Sequence, residues 1–76
     1  MKFKLFLELR KTEYDAKGDF VRLALADPEL PDAANWNEFR LYFLQRHKNE
    51  SVTDAGAFVW KEYQAAKRKE DKAMKA

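Results

Sequence analysis

Apolar residues recur along this chain at helical rather than alternating intervals, in four stretches separated by polar or proline-bearing breaks. The first, about residues 2–11, places Phe3, Phe6, Leu7 and Arg10 at the i, i+3, i+4, i+7 positions of one helical face, with Leu5 and Leu9 on its flank. A second helix opens at Asp15, whose carboxylate caps the free N–H groups of the following turn. Its buried face is Phe20, Leu23 and Ala24, with Val21 and Leu25 beside them. Gly18 costs about 1 kcal/mol of helix propensity relative to alanine, so its presence implies a close backbone approach there. Pro28 pushes Asp27 out of the helical region and has no N–H of its own, so the helix stops at Asp27. The stretch ADPELPDAAN, residues 26–35, then makes a tight corner in which Leu30 drops into the core and Pro31 restrains the exit.

Asn35 caps the third helix, and Glu38, three residues on, reaches back in the manner of a capping box. This helix runs to about His47 with Phe39, Tyr42 and Phe43 toward the core. KNESVTDAG, residues 48–56, reads as a polar connection with Ser51 or Thr53 as the next cap. The last helix, from about Asp54, presents Ala55, Phe58, Val59, Tyr63 and Ala66 to the core and holds Trp60 off to one side. Beyond Arg68 the chain is charged and alanine-rich with no apolar stripe, the pattern of a solvated helix extension that frays. The expected architecture is all-α: one compact four-helix domain over residues 1–68 and a charged, basic tail over 69–76, with no strand signal and no internal repeat.

Composition sharpens this picture. A chain of 76 residues buries only about 60% of its unfolded surface and leaves no room for a deep substrate cleft. Without cysteine there is no disulfide, thiol nucleophile or thiolate metal site, and a reducing cytoplasm is the expected compartment. Eleven aromatic rings compensate, each burying roughly 150–250 Å². Lys4, Glu8 and Arg10 interrupt the apolar start, which excludes a signal peptide, and no run is long enough for a membrane span. The net charge of +2 is unevenly placed: +3 over residues 1–11, −5 over 12–38 and +3 over 61–76. Basic ends around an acidic middle can steer partners.

Gly18-Asp19-Phe20, then Asp27 with Leu30-Pro31, then Tyr42-Phe43, then Trp60 with Tyr63 stand in an order and spacing that resembles the YozE-type SAM-like family of small bacterial proteins. The match covers about residues 3–66. It departs where the first helix bears Phe-Leu-Phe-Leu in place of the family's frequent Trp or Tyr, and where Gly56 stands before Trp60 in place of an aromatic. The resemblance implies a bundle similar to the sterile alpha motif, in a family without an assigned biochemical role, and supplies no catalytic residues to carry over.

No constellation in the chain points to catalysis. His47 is the only histidine and sits beside Arg46 and Lys48, where a cation suits the end of a helix. Asp15, Asp19, Asp27, Glu29 and Asp32 lack the alternating ligand pattern of a calcium loop and read as caps and solvated charges. Ser51, the only serine, has no base near it in sequence. The expectation is therefore a binding protein with no enzyme activity, no cofactor, no metal and no small-molecule substrate. A protein partner or a second copy of the chain leads, and a phage or mobile-element protein that blocks a host enzyme is one version of it. Leu41 and Leu44 are in excess of one core-facing stripe, and with Trp36 or Trp60 they make a candidate interface, unless the third helix is central and buried on most sides. The alternative is an accessory nucleic-acid-binding protein using its basic ends, with Lys61, Lys67, Arg68, Lys69, Lys72 and Lys75 as phosphate contacts. Acids interleave with those bases, as they would on any solvated helix.

Overall fold

The computed structural model describes residues 2–10 and 13–75, with side chains through residue 72. Four helices account for the regular structure: α1 (Phe3–Leu9), α2 (Ala16–Ala26), α3 (Trp36–His47) and α4 (Glu50–Lys75). There is no strand among the described residues, and the all-α four-helix architecture expected from the periodicity is observed.

The helix ends follow local chemistry. Asp15 accepts a hydrogen bond from the Gly18 N–H at 2.9 Å and opens α2. A side chain on Gly18 would collide with the Glu13 carbonyl, so the close approach expected there is present. Asp27 ends α2 in extended backbone, its N–H bonded to the Ala24 carbonyl. Asn35 accepts from the Glu38 N–H at 3.0 Å, while the Glu38 carboxylate reaches back one residue further than a capping box requires, to the Ala34 N–H at 3.4 Å.

The junction of α3 and α4 departs from expectation. It is only Lys48 and Asn49, not a nine-residue polar connection, and α4 starts at Glu50 rather than near Asp54. Lys48 takes the left-handed conformation (φ 50°, ψ 40°) and returns its N–H to the Leu44 carbonyl at 2.8 Å. The cap is Asn49, which accepts from the Val52 N–H at 3.1 Å, and not Ser51 or Thr53. Ser51 is exposed, and Thr53 is buried inside the helix with its hydroxyl donating to the Asn49 carbonyl at 2.7 Å. Burial of Val52 and Thr53 extends the core face of α4 by one turn, which outweighs the weak helix propensity of its opening residues.

The core is aromatic. Phe3 stands with its ring 5.1 Å from Phe39, 4.7 Å from Trp60 and 5.0 Å from Tyr63, so α1 is pinned across α3 and α4 by one side chain. Phe20, fully buried, meets Phe43 at 4.7 Å and Phe39 at 5.8 Å. Leu7, Val21, Ala24 and Val59 fill the space between these rings, and Leu30 packs against the cluster from the corner. Arg10 closes the α1 stripe by pairing with Glu62 of α4 at 3.1 Å.

Two assignments on α4 are exchanged relative to the sequence reading. Trp60, expected off to one side, is 6% exposed; Phe58, expected in the core, is 56% exposed. The two residues flank Val59 about 100° to either side, so only one could share its burial. The side taken is the one that α1 covers through Phe3 and α3 through Trp36 and Phe39. Phe58 instead lies under the ammonium groups of Lys17 and Lys61, at 5.6 and 5.7 Å. The helix passes unbroken through residues 68 and 69.

Candidate functional site

A buried carboxylate organises the corner between α2 and α3. The Asp27 side chain is 1% exposed, accepting from the Tyr42 hydroxyl at 2.7 Å and the Glu29 N–H at 2.9 Å and pairing with Arg46 Nε at 3.1 Å. Burial pushes this carboxyl up, but the Tyr42 and Glu29 hydrogen bonds and the Arg46 charge together hold it below the ordinary carboxylate value. The same bond raises the Tyr42 phenol above its usual value, with burial adding to the effect. Asp15 is also lowered, chiefly by the Gly18 N–H it caps. Arg46 extends to Glu29 at 3.3 Å and the Tyr42 hydroxyl also reaches the Glu29 carbonyl at 3.2 Å, so the buried Asp27 carboxylate is fully engaged by its neighbours. It holds the corner and offers no open position to a ligand. Tyr42, expected in the core, is half-buried so that its hydroxyl can make this contact.

The open concave surface lies on the other side, where the segment 32–37 runs alongside α4. One trough of about 680 Å³ is bounded by Lys2, Asp32 and Ala34 on one wall and by Gln64, Arg68 and Asp71 on the other. A second of about 290 Å³ continues it past Trp36, Asn37 and Ala57 to Lys61. Ala34, Trp60 and Gln64 line both, so the two form one continuous depression along α4 with the edges of Trp36 and Trp60 at its floor. Lys2 and Asp32, 3.9 Å apart, close one end. The walls are polar and available: neither Asn37 nor Gln64 has a hydrogen-bond partner among the described residues, and no ion pair there engages Lys61, Lys67, Arg68 or Lys72.

Helical spacing separates the basic residues of α4. Lys61, Arg68 and Lys72 stand at i, i+7 and i+11, one stripe of α4 of which Lys61 and Arg68 line the trough, while Lys69 turns to the opposite side beside Phe6, Leu9 and Glu62. Lys67 lines the trough from its lower edge with its ammonium 5.9 Å from the Tyr63 ring. The side chain of Lys75 lies outside the described residues. Of the four residues expected at an apolar interface, one is exposed, two are half-buried and one is in the core. Leu41 is exposed at 57%, Leu44 and Trp36 are half-buried, and Trp60 belongs to the core with only its edge in the trough. Further apolar exposure occurs at Leu5 and Leu9 of α1, and Leu9 borders a shallow groove with Ala65 and Ala66. The flank position of those leucines in the first helical stretch is the sequence signal for it.

His47 lies against the Phe43 ring at 4.4 Å with Nε2 turned inward and unbonded. Among the described residues no group of three or more His, Cys, Asp or Glu is placed to hold a metal ion, and no helix is long and apolar enough to cross a membrane. Set against family models, curated proteins and solved structures, the chain matches none.

Proposed function

We propose that the protein is a non-catalytic protein-binding module whose recognition surface is the trough between segment 32–37 and α4. The carrying observation is the composition of that surface: an apolar floor of Trp36 and Trp60 inside a rim of the amides Asn37 and Gln64, which have no hydrogen-bond partner among the described residues, and the cations Lys61, Lys67 and Arg68, which enter no ion pair there. A buried apolar centre within a polar rim is the anatomy of protein interfaces, and tryptophan and arginine are the residues that most often dominate their energy. A photo-crosslinking amino acid at Gln64, compared with one at Gln45 on the far face of α3, tests this in extracts of the source cell. Protein adducts are expected at position 64 alone, and they are expected to vanish with Ala34→Leu, which fills the trough. Adducts of equal yield at both positions would remove the trough from consideration.

The stripe Lys61, Arg68 and Lys72 favours a second reading, contact with nucleic acid. Salt separates the two. Each phosphate contact adds a slope of about −0.9 to the dependence of log affinity on log salt for a duplex, whereas apolar burial at the trough floor is nearly indifferent to salt.

A further inference from the structure

Resting on that protein-binding reading, we infer that the trough takes an extended acidic peptide segment carrying two carboxylates three residues apart with an apolar side chain between them. The spacing comes from the wall. Lys61 and Arg68, seven residues apart on one face of α4, are separated by about 10 Å along the helix axis. In a polyproline II segment, residues i and i+3 project to the same side and lie about 9 Å apart. Two carboxylates at that spacing meet Arg68 and Lys61 together once the Lys61 ammonium swings from the Phe58 ring toward the trough, and one of the two residues between them points down to Trp36 and Trp60. Asn37 on one wall and Gln64 on the other each carry both a donor and an acceptor without a partner among the described residues, which suits the N–H and C=O groups of an extended backbone.

The same residues argue against a nucleic acid strand in this trough. Base stacking needs a free aromatic face, but Trp60 is 6% exposed and Trp36 is half-buried, packed on Phe39 at 5.9 Å and Phe20 at 6.0 Å. Asp32 and Asp71 stand among Lys2, Lys67 and Arg68 at the wider end, a mixed-charge lining that suits the local charges of a peptide better than a continuous phosphate chain.

A fluorescein-labelled library of Glu-X-X-Glu peptides, with X varied over all residues, tests the inference against a matched Gln-X-X-Gln library and a labelled twelve-residue oligothymidylate. The expected result is binding by Glu-X-X-Glu members with an apolar X, weakened about tenfold or more in the Gln library and in the charge-reversed Lys61→Glu/Arg68→Glu protein. Both substitutions are on exposed positions, and circular dichroism checks that the helix content is kept. Equal binding by both libraries, lost with Ala34→Leu, would overturn the acidic ligand while leaving a protein-binding trough. Binding of the oligonucleotide alone, lost with Lys61→Glu/Arg68→Glu, would overturn the inference and the protein-binding reading together, and binding of no probe at all would overturn the inference.

Discussion

Adding a methyl group at Gly56 tests how tightly the centre of the bundle is closed. In Gly56→Ala the new carbon would stand 2.9 Å from Cζ of Phe20 and closer still to Cε1 and Cδ1, against the roughly 3.5–4 Å at which carbon atoms rest in contact. The Phe20 ring has nowhere to retreat: it is fully buried, with ring neighbours Phe3 at 6.3 Å, Trp36 at 6.0 Å, Phe39 at 5.8 Å and Phe43 at 4.7 Å. Two effects oppose each other. Alanine is favoured over glycine in a helix interior by about 1 kcal/mol, and overpacking a closed core costs about 1–3 kcal/mol. Because the ring must move by about 1 Å and is boxed on several sides, the clash lies near the top of that range, for a net loss of about 1–2 kcal/mol. In a domain of this size that lowers Tm by about 5–15 °C. The decisive assay is a double-mutant cycle with Phe20→Leu, read by urea unfolding. Phe20→Leu alone destabilises by opening space, and if the methyl and the ring compete for that space, the double variant is more stable than the sum of the singles by about 1 kcal/mol. Strict additivity, or a Gly56→Ala protein that melts higher than the parent, would refute the reasoning.

Lys48→Gly removes the cost of holding a side chain in left-handed backbone at the end of α3 and is expected to raise stability by about 0.5–1 kcal/mol, measured by the urea midpoint. Leu41→Ser, at an exposed position, is expected to change stability by less than about 0.5 kcal/mol, whereas Trp60→Ala is expected to cost about 3–5 kcal/mol; thermal melts of the two distinguish surface from core. Because the native Asp27 carboxyl sits below its ordinary value, the unfolded chain takes up the proton first as pH falls. The stabilisation is full above about pH 5 and drains away as the solution is acidified through the native value. Asp27→Asn is therefore expected to lower stability at neutral pH and to flatten its decline between about pH 5 and pH 2, read from urea midpoints across that range.

The elements whose ends are set by local chemistry are legible in the chain itself. Asp15, Asp27 with Pro28, and Asn35 each act on backbone groups within a few residues, and the boundaries of α2 and α3 fall where those residues place them. The start of α4 is not legible in the same way, because Ser51, Thr53 and Asp54 serve as caps in one context and as ordinary helical residues in another. Packing of Val52 and Thr53 decides it, and that is a tertiary fact. The exchange of Phe58 and Trp60 has the same origin: periodicity puts both at equal angles from Val59 and cannot say which side α1 will cover. Asp27 reads as a stop signal, and nothing near it announces that its carboxylate will be gathered in by Tyr42 and Arg46, 15 and 19 residues further on.

The basic residues of α4 are visible as a run, but the trough beside them is not, because its other wall comes from a different part of the chain and its openness comes from small side chains. Ala34 and Ala57 flank the exposed edges of Trp36 and Trp60. A leucine at either position would extend over the indoles and join the hydrophobic cluster, as Leu30 does from the neighbouring corner. The unsealed floor leaves apolar area in contact with water, which disfavours the isolated bundle in proportion to that area. The bundle tolerates the loss because Phe3, bridging α3 and α4 from below, holds Trp60 in place without help from above. Filling the trough and blocking recognition are therefore the same substitution with opposite signs. Ala34→Leu should stabilise the free protein slightly while abolishing whatever binds along α4, and a variant that destabilised the fold and blocked binding together would mean that the floor is already sealed by neighbouring side chains.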